Sequence, residues 1–167
     1  MNTLLELEPV NMNHGQPSLR SQRNDMTALK RILVADDDTM VRSAIAAVLE
    51  SEGYAVDEAQ NGQEAVALAT SNPPDLVLLD LNMPQLDGWR AFVQLDHVTP
   101  LVPVIIITAR PHQYPEAVRL GVDAFMEKPL NIASLLNAIK RLVNETPEQH
   151  VRRVTDRGFV TRQLTSL

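Results

Sequence analysis

The stretch Leu76-Val77-Leu78-Leu79-Asp80-Leu81-Asn82-Met83-Pro84 decides the fold. Its opening run of apolar residues predicts a strand buried on both faces, because a strand with one wet face would alternate. A carboxylate then stands where the strand ends. Met83-Pro84 follows, and proline lacks the N–H that further ladder pairing needs. Asp80 is therefore expected at the carboxyl end of a central strand, facing the crevice where open α/β sheets take their ligands. An isolated aspartate in such a place is usually a turn former. Asp80 is not isolated, because two other stretches end in a comparable way.

Upstream, Arg31-Ile32-Leu33-Val34-Ala35 is a short apolar strand closed by three acids, Asp36-Asp37-Asp38. A helix follows from Thr39, with Val41, Ala44, Ile45, Val48 and Leu49 on one face and Gly53 just past its end. One acid suffices to cap that helix and meet its dipole. Asp38 or Thr39 can take the cap, which leaves Asp36 and Asp37 at the strand end with another task, such as holding a cation. Tyr54–Ala59 alternates as an edge strand does. Asn61-Gly62 marks a turn, and a second helix carries Ala65, Val66, Leu68 and Ala69 up to Ser71-Asn72-Pro73-Pro74.

Downstream of Pro84, Asp87 is a candidate N-cap for a third helix bearing Trp89, Phe92, Val93 and Leu95, with Trp89 read as packing. Leu101–Ile107 is the most apolar strand, rich in β-branched residues and ended by Thr108. A loop with two prolines leads to a short helix over Pro115–Leu120, ending at Gly121. Val122–Met126 is a fifth strand closed by Glu127-Lys128-Pro129. Asn131 is expected to cap a last helix whose stripe is Ile132, Leu135, Leu136, Ile139, Leu142 and Val143.

Composition bounds what such a chain can do. Its 167 residues suit one domain with a full core, and 44% hydrophobic with 22% charged residues is ordinary for a globular protein. A net charge of −6 argues against a broad nucleic-acid surface. The absence of cysteine excludes disulfides, thiol catalysis and cysteine-based metal sites. No apolar run has the length of a membrane span, and the amino terminus lacks the basic region of a signal peptide. The cytoplasm is the expected location, with no membrane partner. Residues 1–29 have no period and several breakers, so they read as an N-terminal arm, in which His14 is a surface residue with no metal-ligand partner at the right spacing. Residues 30–144 form the expected domain. Residues 145–167 are polar again and read as a C-terminal tail or linker.

Five alternations of strand and helix predict an α/β fold, a (βα)5 doubly wound parallel sheet covered on both faces. Right-handed crossovers then bring all strand ends to one side. That side carries Asp36, Asp37, Asp80, Thr108 and Lys128. Three carboxylates at one edge call for a counter-charge, and a hard cation with oxygen ligands, Mg²⁺ rather than Ca²⁺, answers it. Lys128 supplies a point charge suited to a phosphate, and Thr108 a hydroxyl. Together they outline a site for phosphoryl transfer, with Asp80 as nucleophile or acceptor.

In these residues the chain resembles the receiver domain of two-component response regulators. The matching stretches are Ile32 to Asp38, Leu78 to Pro84 with Asp87-Gly88, Ile107-Thr108-Ala109, and Phe125-Met126-Glu127-Lys128-Pro129. The resemblance spans residues 31–144 and implies the flavodoxin-like strand order 2-1-3-4-5, of which the family supplies a standard example. It implies that Asp80 accepts a phosphoryl group from a phosphohistidine on a sensor histidine kinase or a histidine phosphotransfer protein. Asp37 and Asp80 would ligate Mg²⁺ together with the backbone carbonyl of Asn82, while Asp36 acts largely through water. Thr108 would hydrogen-bond the acyl phosphate and Lys128 would pair with it across a cis Lys128–Pro129 peptide. Phe125 matches the aromatic switch position. Asn82 and Arg110 match positions that tune dephosphorylation.

From Thr108 to Lys128 the chain counts 20 positions. That is about two fewer than the family pattern, a change that loops absorb cheaply. With Pro111 and Pro115 restricting its start, the fourth helix is expected to be short or displaced, and the partner surface unlike that of the common DNA-binding regulators. The expected function is a phosphoacceptor signalling module that switches a surface for an unknown downstream protein, with no direct nucleic-acid binding by this chain and no enzymatic turnover of an external substrate. The alternative is a metal-dependent phosphatase or hydrolase with Asp80 as nucleophile. It lacks an aspartate two residues on, where Asn82 stands. A flavodoxin-like cofactor binder fits less well, since Asp36-Asp37-Asp38 would repel a phosphate.

Overall fold

The computed structural model describes residues 29–156 and 158–165. Six parallel strands form one sheet in the order β2-β1-β3-β4-β5-β6. The strands are β1 (Arg31–Ala35), β2 (Ala55–Ala59), β3 (Leu76–Asp80), β4 (Val104–Thr108), β5 (Ala124–Glu127) and β6 (Arg162–Gln163). The helices between and after them are α1 (Thr39–Ser51), α2 (Gly62–Ser71), α3 (Gly88–Val98), α4 (Tyr114–Leu120), α5 (Ile132–Leu142) and α6 (Pro147–Thr155).

The two sheet faces bury different residues of the same strands. On one face Leu33, Val77, Leu79, Ile106 and Phe125 meet Ala65, Ala91, Phe92, Leu95 and Ala117 of α2, α3 and α4. On the other, Ile32, Val34, Leu76, Leu78, Ile105 and Ile107 meet Ile45 and Leu49 of α1 and Leu135, Ile139 and Leu142 of α5. Successive strand residues point to opposite faces, so every residue of β3 and β4 is buried. Burying each Leu or Ile contributes about 1.5–3 kcal/mol, which makes this central pair the rigid base for whatever their ends carry.

Local signals act largely as the chain order suggests. The carboxylate of Asp38 accepts from the N–H groups of Met40 and Val41, at 2.9 and 3.2 Å, and so caps α1. Gly53 and Gly121 take positive φ values of 87° and 74° at the ends of α1 and α4. Asn61 lies in the bend between β2 and α2 and also caps the helix, its side chain accepting from the N–H of Glu64 at 2.9 Å, while Gly62 is already helical. Asp87 precedes α3, but its side chain makes no capping bond. Strand β4 starts at Val104 rather than Leu101, because residues 99–102 close a turn through Val102 N–H and Thr99 O (3.0 Å). Helix α4 is short, with seven residues.

The largest departure lies at the C-terminal end. Residues 145–167 read as a tail or linker, yet they carry α6 and a sixth strand. A capping box between Thr146 and Gln149, with Pro147 in the first turn, starts α6. Arg153 then binds Asp123 at 2.6 Å and Glu145 at 2.9 Å, fastening α6 to the start of β5 and the end of α5. Strand β6 pairs with β5 at Ala124↔Arg162 and Phe125↔Gln163. The expected 2-1-3-4-5 order is thus present and extended by one strand. The arm expected over 1–29, His14 included, lies outside the described residues apart from the exposed Leu29.

Candidate functional site

The ends of β1, β3, β4 and β5 converge at one edge of the sheet. At the end of β1, Asp36 is buried, its N–H bonded to Ala59 O of the neighbouring strand at 3.1 Å. Its Oδ1 accepts from the N–H of Asp38 at 2.9 Å, which folds the acidic loop back on itself. Arg42, one turn into α1, donates to the carbonyl of Asp36 at 2.6 Å and to Glu58 at 3.0 Å. With Asp38 on the helix cap, Asp37 is left exposed at the mouth of the site.

At the end of β3, Asp80 is buried and its Oδ1 accepts from the N–H of Asn82 at 3.1 Å. The chain beyond it packs tightly under α3. A Cβ on Gly88 would lie 2.4 Å from Leu81 Cα and 2.7 Å from the Asp80 carbonyl, so only glycine fits there. The carboxylate oxygens of Asp36, Asp37 and Asp80 lie within 4.8 Å of one another.

Lys128 arrives from β5, held by its N–H to Thr108 O at 2.8 Å. Its Nζ donates to Asp36 Oδ2 at 2.9 Å and to Asp80 Oδ2 at 3.2 Å. Burial alone would lower the Lys128 pKa; the hydrogen bond to Asp36 and the nearby Asp80 charge outweigh it and hold the ammonium above the usual lysine value. The Lys128–Pro129 peptide is cis. Asp36, Asp37, Asp38, Asp80, Asn82 and Lys128 line one open cleft of about 510 Å³, together with Val41 and Ala109. Three acids with no sulphur or imidazole ligand make a donor set that fits a hard, oxygen-preferring dication such as Mg²⁺.

Thr108 and Phe125 stand one layer deeper. Thr108 is fully buried, and its hydroxyl oxygen accepts from the N–H of Arg110 at 3.0 Å. Arg110 bridges Asp87 at 3.1 Å and Asn82 at 3.5 Å, so it ties the loop after β4 to the loop after β3. Phe125 is fully buried in β5, its ring 5.8 Å from that of Tyr114. Trp89 packs edge-on to Phe92, and its indole N–H also donates to Gln113 Oε1 at 2.9 Å. Sequence reading missed Arg42 and Gln113, and gave Asp87 as a helix cap and part of the family motif but not as the partner of Arg110. A helix-face arginine carries no local signal that it will bond a strand-end carbonyl.

The chain matches the model of the response regulator receiver domain over residues 32–140, and it belongs to that family. Its place is therefore in two-component signalling. It is 38% identical over 118 residues to the response regulator MprA of Mycolicibacterium vanbaalenii, covering 70% of this chain and 51% of that protein. The chain thus spans about half the length of the curated relatives it matches. Among solved structures, a CheY-like receiver domain protein from Methanospirillum hungatei superposes with a TM-score of 0.67 at 31% identity, covering 75% of this chain and 99% of that one. The response regulator TrrA of Thermotoga maritima, in complex with Mg²⁺ and BeF, superposes with a TM-score of 0.64 at 32% identity, covering 68% and 99%. Among the described residues, no helix is long and apolar enough to cross a membrane.

Proposed function

We propose that this chain accepts a phosphoryl group on Asp80 from a phosphohistidine of a sensor histidine kinase or a histidine phosphotransfer protein in the cytoplasm, and thereby switches a surface for a downstream protein. The observation that carries the reading is the Lys128 ammonium bridging Asp36 and Asp80 beside the exposed Asp37. Such a site has one nucleophilic carboxylate, a cation able to follow a phosphate, and acids able to hold a metal.

Asp37, Asp80 and the Asn82 carbonyl would hold Mg²⁺, with Asp36 acting largely through water. The bound ion would neutralise charge on the phosphoryl oxygens. In the transfer, an Asp80 oxygen forms a bond to phosphorus as the phosphorus–nitrogen bond breaks. The electron pair leaves on the imidazole nitrogen, which takes up a proton. Lys128 exchanges a carboxylate partner for a phosphoryl oxygen, and the Thr108 hydroxyl turns from Arg110 N–H to another. Arg110 and Asn82 flank the product and set how water reaches it, and Phe125 relays the change as a switch. The hydrolase alternative needs a proton-transferring group two residues past Asp80, and the Asn82 carboxamide cannot serve.

The test is transfer of labelled phosphate from a phosphohistidine donor, followed by hydroxylamine. Label lost to hydroxylamine, with the hydroxamate mapped to Asp80, is the expected result. Label that resists hydroxylamine, or that persists in Asp80→Ala, would contradict the proposal.

A further inference from the structure

Two routes lead from the Asp80 cleft to the C-terminal strap, residues 158–165. The first runs along β5. Lys128, just past its end, touches Asp36 and Asp80, and the carbonyls of Asp123, just before the strand, and of Phe125 within it accept from Arg162 N–H at 3.3 Å and Leu164 N–H at 2.8 Å. The second runs through the loop after β4. Thr108 is bonded to Arg110 N–H, the loop reverses at His112 with a φ of 60°, and six residues after Thr108 comes Tyr114. The Tyr114 hydroxyl donates to Thr161 O at 2.8 Å, while its ring lies on Phe125. Thr161 is itself buried and donates to Ala117 O of α4 at 3.1 Å.

The strap therefore touches α4 and β5 at once, and covers a sheet edge that would otherwise present open backbone groups to another chain. Its hold is slight. Strand β6 has two residues, both with exposed side chains, and only Thr161 and Leu164 are buried. A short terminal element whose few bonds go to two segments that lead back to a charged site is open to bias by that site.

We propose that residues 158–165 form a latch over the β5 edge whose grip depends on what Asp80 carries. The inference rests on the phosphoacceptor reading above. A phosphoryl group draws Lys128 Nζ and the Thr108 hydroxyl to itself, shifting the end of β5 and the loop that sets Tyr114. The latch loosens and uncovers the β5 edge. By linkage, loosening the latch favours the phosphorylated state to the same degree.

The experiment is hydrogen exchange of the 158–165 amides in the full chain, before and after acetyl phosphate with Mg²⁺, with intact mass read on the same samples. The expected result is a single phosphoryl adduct and exchange at Arg162 and Leu164 faster by roughly tenfold, within the usual range of coupling between sites. Tyr114→Phe and Thr161→Val, which keep the volume of each side chain, should speed exchange before phosphorylation and shrink the further change. An adduct with unchanged exchange would overturn the latch and leave the phosphoacceptor reading standing. No adduct with unchanged exchange would overturn both.

Discussion

The Lys128 ammonium lies 3.2 Å from the Asp80 carboxylate, although 48 residues separate them in the chain. Both groups stand at the ends of buried strands, β5 and β3, with β4 between them. The pairing is thus set by sheet topology. It also supplies positive charge that lets Asp36 and Asp80 share one edge.

Lys128→Met should therefore destabilise the metal-free protein by about 2 kcal/mol, because it leaves two buried carboxylates facing each other without a counter-charge. Millimolar Mg²⁺ should restore most of that loss by binding the folded state. Urea denaturation of both proteins with and without Mg²⁺ measures it. An equal loss in both conditions would show that Mg²⁺ does not replace the ammonium charge.

The pH dependence of that contribution has a definite sign. The folded-state pKa of Lys128 is raised, so the stabilisation is fully present below the ordinary lysine value of about 10.4 and fades as pH rises through the folded value. The stability difference between the parent and Lys128→Met should stay flat from about pH 6 to 9 and narrow only in strong alkali. Denaturation curves across that range check it.

Asp37 is exposed, and among the described residues its side chain has no hydrogen bond. Asp37→Asn should leave metal-free stability within about 0.5 kcal/mol of the parent. The same change should abolish most of the rise in melting temperature caused by Mg²⁺, read by thermal denaturation.

Gly88→Ala tests the packing beneath Asp80. The added methyl meets backbone atoms of Leu81 and Asp80, which cannot rotate away. A loss of about 2–3 kcal/mol is expected, in the range of overpacked sites, and chemical denaturation measures it.

Much of this architecture is legible in the sequence because it rests on strong local patterns. The run Leu76–Leu79, bounded by Pro73-Pro74 and Pro84, reads as a doubly buried strand, and the acids after β1 and at the end of β3 mark the edge where the candidate site lies. The strand order was not legible from the residues alone and came with the family resemblance. The C-terminal segment was legible only at the start of α6, where Thr146-Pro147-Glu148-Gln149 has the spacing of a capping box; the rest was hidden for a different reason. Strand β6 has two residues, with no period to read, and α6 is held by Arg153 reaching Asp123, 30 residues back. Such ion pairs exist only once β5 is in place. The turn into β4 hid likewise, since Leu101 and Val102 look like strand until the Thr99 carbonyl captures Val102.

The most direct measurement is the intact mass of the chain after incubation with acetyl phosphate and Mg²⁺. One phosphoryl adduct that disappears with chelator and in Asp80→Ala is the predicted result. An unmodified mass under conditions that phosphorylate another receiver, or an adduct that survives Asp80→Ala, would contradict a phosphoacceptor at Asp80.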